Sequence, residues 1–422
     1  MQLKSQSKKR KCSLAPGFGR KGRSRQATGR GGARGRLAAQ LRSKISFRCQ
    51  PLITACILIC SLQPNDTAAD EWIIAQPATQ ASERTISVSG TLVAESDSTV
   101  LIQSVDQRLW RISRGDIRAH TISQNTPPPL DRERLAAILT AEFPEHAVVS
   151  TEHYLICHDV ALDQAQQAER LLEQVYTAYF ELWNELNVPV IEPKSPLVVL
   201  LFRESKPFAQ HLEKELGANP AAVVAFYSLT SNQISVRIGA TETAWTNNYL
   251  VSSNVPLDAR TSLATNLVHE ATHQLMCNSG LQARMANYPL WVSEGLAAYF
   301  EPADPFARNG WRRPGGINFL RVGKLKAMLK QSSRADLSSI IAGDDSFRQS
   351  SSAGESYSLA WGLNYFLLKR HREEYLAYLR HVSHTMPLAV EPPDQRLRDF
   401  QSFFRADISA LSQQLAEYFA SL

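Results

Sequence analysis

The sequence predicts an α+β protein. Three observations carry this expectation: short alternating strands cluster between Thr85 and Ile122, a continuous apolar run stands at Pro196–Phe202, and everything beyond Leu257 is patterned mainly for helix. The chain has 422 residues, of which 44% are hydrophobic and 20% charged, so it is long and apolar enough for two or more folded units and too apolar for disorder throughout.

The charge is unevenly spread. Residues 1–69 hold 15 Lys and Arg against a single acid, Asp66, which leaves 31 basic and 39 acidic residues beyond them. The formal +6 therefore belongs to the first segment, and the rest is acidic. Its Gly- and Arg-rich run Gly29–Arg42 has the composition of a nucleic-acid-binding arm. The following PLITACILICSL, Pro51–Leu62, is too short to span a bilayer as a helix, and small residues follow at Thr67–Ala69. That layout predicts a long basic n-region with a signal peptide over 1–69, hence export to the periplasm, envelope or medium. No nucleic-acid partner is expected, and contact with a membrane is expected only if this segment persists as an anchor. Cys157 and Cys277 are the two cysteines outside it, either paired or separate, and no CxxC pair exists for a thiolate zinc site.

ISVSGTL, TVLIQS and RLWRIS read as strands, and NTPPPL, Asn125–Leu130, as a linker, which sets off a small all-β unit over 70–130. The main domain is expected over 131–422. DRERLAAILTAEF opens it as a helix and HYLICHDV follows as a strand. From Asp163 to Leu186, apolar residues at three- and four-residue steps predict one long amphipathic helix. PLVVLLF is a strand buried on both faces, and Val223–Ile238 makes two strands around a polar turn. Helices follow over 258–277, 289–301, 356–370, 372–383 and 407–420.

The stretch LVHEATHQL places His269 and His273 one helical turn apart on one face, able to share an ion, with Glu270 offset beside them as a base. The surrounding Leu263, Leu267, Val268, Leu275 and Met276 are apolar, and buried imidazoles need partners. A catalytic zinc takes a third protein ligand. PLWVSEGLAAYFE supplies Glu294, and a turn at Asn278–Gly280 would bring its helix beneath the same ion. Gly295, inside that helix, costs about 1 kcal/mol relative to alanine unless another backbone approaches closely there.

VHEATHQL followed by WVSEGLAAYFE resembles the zincin metallopeptidases of the gluzincin branch. With the long helix, AFYSLTSNQI and SYSLAWGLNYFLL, residues 131–383 further resemble a family of uncharacterised exported bacterial proteins with a peptidase-like domain. The resemblance implies a small sheet over the active-site helix, one Zn2+ ion on His269, His273 and Glu294, Glu270 as general base, and an edge strand within Val223–Ile238 that receives an extended peptide. Tyr357 is the candidate oxyanion donor, with His371, His381 and His384 as rivals. Glu301 and Asn266 are candidates to orient an imidazole, and Trp291 and Tyr299 are expected to pack on the first helix. The expected activity is hydrolysis of a peptide or protein substrate. The alternative is a zincin-fold binding or scaffold protein of the cell envelope that turns nothing over.

Overall fold

The computed structural model describes residues 70–76, 84–122, 130–217, 223–238, 263–302, 304, 311–331, 336–349 and 351–422. The basic segment, the apolar run expected to be a signal peptide and most of the Pro-rich linker lie outside the described residues. Among the described residues no helix is long and apolar enough to cross a membrane.

The first sheet is antiparallel and runs β4(Leu109–Ser113), β3(Thr99–Ser104), β2(Arg84–Glu95), β1(Asp70–Gln76), β5(Ile117–Thr121). Alternation puts Trp72, Ile74, Val88, Val100, Ile102 and Ile112 on one buried face. Strand β1 was not among the expected strands: its DEWIIAQ adjoins the small residues read as a processing site. The sheet is also tied to the main domain. The Leu109 N–H donates to the Thr230 carbonyl at 2.8 Å, and Arg108 pairs with the buried Glu215 at 3.2 Å.

The second sheet runs β6(Ala147–Ser150), β7(Tyr154–His158), β8(Leu197–Phe202), β10(Gln233–Arg237), β9(Ala225–Tyr227). Its three inner strands are parallel and its two edges antiparallel. Parallel neighbours need crossovers, supplied by the long α2(Leu162–Glu185) between β7 and β8 and by α3(Ser205–Leu216) after β8. The LVVLLF strand is buried throughout because it meets helices on both faces. Val198, Leu200 and Phe202 pack with α3 and with α1(Arg132–Glu142). Leu197, Val199 and Leu201 share the larger core with α2 and α4(Leu263–Asn278). Helices α1, α2 and α4 fall within a few residues of expectation, whereas α3 and β6 were not foreseen.

Helix α4 ends where expected: Gly280 takes φ +83°, and the Ser279 hydroxyl bonds Tyr179 Oη at 2.7 Å. The chain reverses into α5(Leu290–Phe300), followed by α6(Phe319–Gln331), α7(Leu337–Ala342), α8(Asp345–Arg348), α9(Ala353–Arg370), α10(Arg372–Ser383), α11(Pro393–Phe403) and α12(Ile408–Ser421). At Gly295, α5 meets α9. A Cβ there would lie 2.5 Å from the Ala360 carbonyl oxygen and would overlap the Asn364 amide. Trp291 and Tyr299 turn to the far side of α5, not onto α4 as expected: the Trp291 ring stacks on Tyr378 at 5.7 Å, and Tyr299 meets Tyr365. The two cysteines are separate free thiols, each pushed up to about 12 by burial.

Two outcomes follow from this packing. Gly295→Ala is expected to destabilise the protein by about 1–3 kcal/mol in urea melts, because overpacking against backbone outweighs the gain of about 1 kcal/mol in helix propensity. His211, on α3, bonds Ser235 Oγ at 3.0 Å, and burial holds its pKa below the ordinary imidazole value. The unfolded chain therefore takes up that proton first, and the stability contributed by neutral His211 is lost as pH falls below about 6.5. His211→Gln should flatten the fall in stability between pH 6.5 and 5 in urea melts across that range.

Candidate metal centre

Helix α4 is buried along Leu267, Val268, Ala271 and Leu275, which leaves His269, Glu270 and His273 half-buried on one side, facing α5 and β9. From α5, Glu294 reaches the same place. Nε2 of His269 lies 3.1 Å from Nε2 of His273 and 3.2 Å from Glu294 Oε2, and the third side of the triangle is 3.6 Å. Among the described residues these three form the one group with metal-binding spacing.

The outer nitrogens settle what the inner ones present. His269 Nδ1 lies 2.9 Å from Glu301 Oε1, and an ionised carboxylate only accepts, so Nδ1 carries the proton. His273 Nδ1 lies 3.2 Å from Ser293 Oγ, whose hydroxyl donates to Gln282 Oε1 at 3.1 Å, so this Nδ1 also donates. Both Nε2 atoms then turn lone pairs toward a carboxylate oxygen, an arrangement that repels itself unless a cation or proton stands between. A tetrahedral zinc with bonds of about 2.0–2.1 Å spaces its donors about 3.3–3.4 Å apart, and the three observed separations bracket that spacing. The donor set fits zinc.

Glu301 is the centre of a second layer. Buried at the end of α5, it also accepts from Asn318 Nδ2 at 2.7 Å and from Arg321 at 3.2 Å. Burial opposes its charge, yet Arg321 and His269 hold its pKa down at about 2. Burial likewise opposes ionisation of Glu294, but the two histidines hold it well below the usual carboxylate range. Burial disfavours a charged His269, yet its bonds to Glu294 and Glu301 hold it well above the ordinary imidazole value, so a proton competes for the place a cation would take. Glu270 differs: burial raises its pKa, against the pull of both histidines. Its Oε2 accepts the Tyr227 backbone N–H at 2.8 Å, and strand β9 thus fixes the rotamer while Oε1 stays available.

Residues 262–389 match a family described as a protein of unknown function, DUF1570. The matched stretch contains His269, Glu270, His273, Ser293, Glu294, Glu301, Arg321 and Tyr357, and it leaves out β9. No curated protein matches the chain.

Tyr357, on α9, lies within the field of this cluster. Glu294, its own burial and Glu270 push its phenol up, so it remains a protonated donor, and Arg321 sits 5.5 Å from its ring centre. The rival histidines are engaged elsewhere: His371 with Gln414 at 2.9 Å, His381 with Asp399 at 3.8 Å, His384 with the Arg380 carbonyl at 2.6 Å. Asn266 bonds neither imidazole. Ser293, Gln282, Asn318, Arg321 and the Tyr227 N–H escaped the sequence reading. Ser293 stands beside Glu294, but its bond to His273 depends on the rotation of α5, which no motif encodes.

His269→Ala, His273→Ala and Glu294→Ala are each expected to abolish stoichiometric zinc in metal analysis of the purified protein. Glu301→Ala should keep the ion but weaken it about 10–100-fold in chelator competition, the usual effect of removing a ligand's outer hydrogen bond.

Proposed function

We propose that this chain is an exported zinc-dependent peptidase of the zincin type, with the gluzincin ligand set His269, His273 and Glu294. The observation that carries the reading is the placement of Glu270. A purely structural zinc site closes its coordination with protein ligands and has no use for a base. Here a further carboxylate, outside the ligand set, stands one residue from the first ligand, held through one oxygen by the Tyr227 N–H.

Zinc bound by those residues supplies Lewis acidity, acidifying water and polarising a carbonyl. Glu270 accepts the proton of the attacking water on Oε1 and returns it to the departing amine nitrogen. The Tyr227 N–H keeps that carboxylate from rotating between the two transfers. The Tyr357 hydroxyl, kept protonated by its acidic surroundings, donates to the oxygen that gains charge as the carbonyl is attacked. Glu301 and Ser293 hold the imidazoles in the tautomer and orientation that ligation needs. Strand β9 is the open edge of its sheet and lies beside α4. Ala225 turns its N–H and carbonyl outward there and Tyr227 its carbonyl, the Tyr227 N–H being held by Glu270. This leaves main-chain groups for an extended peptide added as a further strand.

The test is a peptide-library digest with zinc analysis on wild type, Glu270→Gln and Tyr357→Phe. Glu270→Gln should retain zinc while losing about 10²–10⁴-fold in rate. Tyr357→Phe should lower kcat about 10²–10³-fold with little change in KM, as expected for a donor used in the transition state. Stoichiometric zinc with no cleavage of any library member would sink the peptidase reading and favour a scaffold. N-terminal sequencing of the protein from fractionated cells tests export: a mature start near residue 70 shows cleavage, and an intact N-terminus in the membrane fraction shows a retained anchor.

A further inference from the structure

A second concavity lies at the C-terminal end of α4, where the first sheet meets the main domain. It is a cleft of about 410 Å³, within the range of about 300–1,000 Å³ typical of small-molecule sites. Its floor is Cys277 and the paired amides of Asn232 and Asn278, and its roof is Gln103, Gln107 and Leu109 from β3, β4 and the turn between them. It does not depend on the metal centre: it stands beyond Cys277, a turn past His273, and shares none of the three ligands.

What makes it more than a seam is Arg284. Its side chain lines the cleft with only 9% of the residue exposed. Nη1 donates to the Gln107 carbonyl at 2.8 Å and the Leu229 carbonyl at 3.4 Å. Nη2 and Nε find no acceptor among the described residues, and no carboxylate there pairs with the guanidinium. Glu192 is on the rim, exposed and unpaired with Arg284, and Lys194 beside it offsets its charge. Nη2 and Nε are not sealed from solvent, and this free edge of the guanidinium presents the fork that a carboxylate matches with two parallel bonds.

The rest of the lining narrows the anion. The C-terminal end of α4 faces the cleft, and its partial negative charge opposes any anion there, a dianion such as phosphate more strongly than a monocarboxylate. Val93, Leu109, Ile191 and Pro193 give apolar wall beside the charge. We propose that this cleft is a binding site for a small monocarboxylate with an apolar body, the chemistry of an acylated amino acid or the C-terminal residue of a short peptide, with Arg284 as the anchor of the carboxylate.

The test is calorimetric titration of the full chain carrying Glu270→Gln, treated with chelator so that neither turnover nor metal contributes. The probes are N-acetyl-leucine, N-acetyl-leucinamide and inorganic phosphate. The acid should bind saturably, the amide and phosphate at least tenfold more weakly, and Arg284→Gln should weaken the acid at least tenfold. Because Arg284 also ties Gln107 to Leu229, a second variant, Val93→Phe, fills the cleft from the other side with Arg284 intact and should abolish binding as well. Acid binding that survives both substitutions, phosphate or amide binding as tight as the acid, or no saturable binding of any probe would overturn the assignment. Each of these results stands apart from the fate of the peptidase reading, since zinc and Glu270 are absent from the measurement.

Discussion

The position of α5 rests on a methyl group that is not there. At Gly295 the backbone of α9 comes close enough for Asn364 to donate to both the Trp291 and Ala360 carbonyls, while its own oxygen accepts from Tyr375 Oη. One buried amide thereby stitches three helices together. Glu294 is the residue just before the glycine, so the seating of α5 on α9 also decides how far the Glu294 carboxylate stands from the imidazoles of α4. A helix pushed outward by even a small side chain would withdraw that oxygen from a triangle whose sides are 3.1–3.6 Å.

The second constraint is charge. Glu270, Glu294 and Glu301 crowd around His269 and His273, and Arg321 is the one permanently charged cation seen in contact with them among the described residues. Such a concentration of carboxylates inside a protein is unfavourable alone, and the surrounding hydrogen bonds satisfy the outer lone pairs only. The deficit lies at the inner face, where two nitrogens and one oxygen point at each other. The donor chemistry and the electrostatics both suit a small cation there, and a proton on His269 answers the same deficit.

The sequence showed most of what repeats with a period and most of what sits inside a short motif. The long α2 and the fully buried β8 were legible because burial on one face, or on both, writes itself into apolar spacing. His269, Glu270, His273 and Glu294 were legible because two helix registers and one turn place them. Strand β6 and helix α3 were not: AVVS is four residues long and half-exposed, and the Pro207 near the start of α3 looks like a break although it occupies the first turn, where the missing N–H is harmless. The outer partners of the histidines were harder still. Glu301 was visible as a candidate through its spacing from Glu294. Asn318 and Arg321 come from beyond a connection of irregular structure, and only the folded chain brings them back. The Tyr227 contribution had no signal at all, since every residue except proline offers the same N–H.

That last feature bears on which positions are free to drift. The group that steadies Glu270 belongs to the polypeptide itself, so any side chain at 227 that keeps β9 in place, as the phenol does through its bond to Asn232 Oδ1 at 2.7 Å, leaves the carboxylate's hold intact. Proline alone would silence the donor. Related chains could therefore keep the carboxylate's anchorage while showing no common letter at that column, and an alignment scanned for invariant residues would pass over a strand that the chemistry depends on.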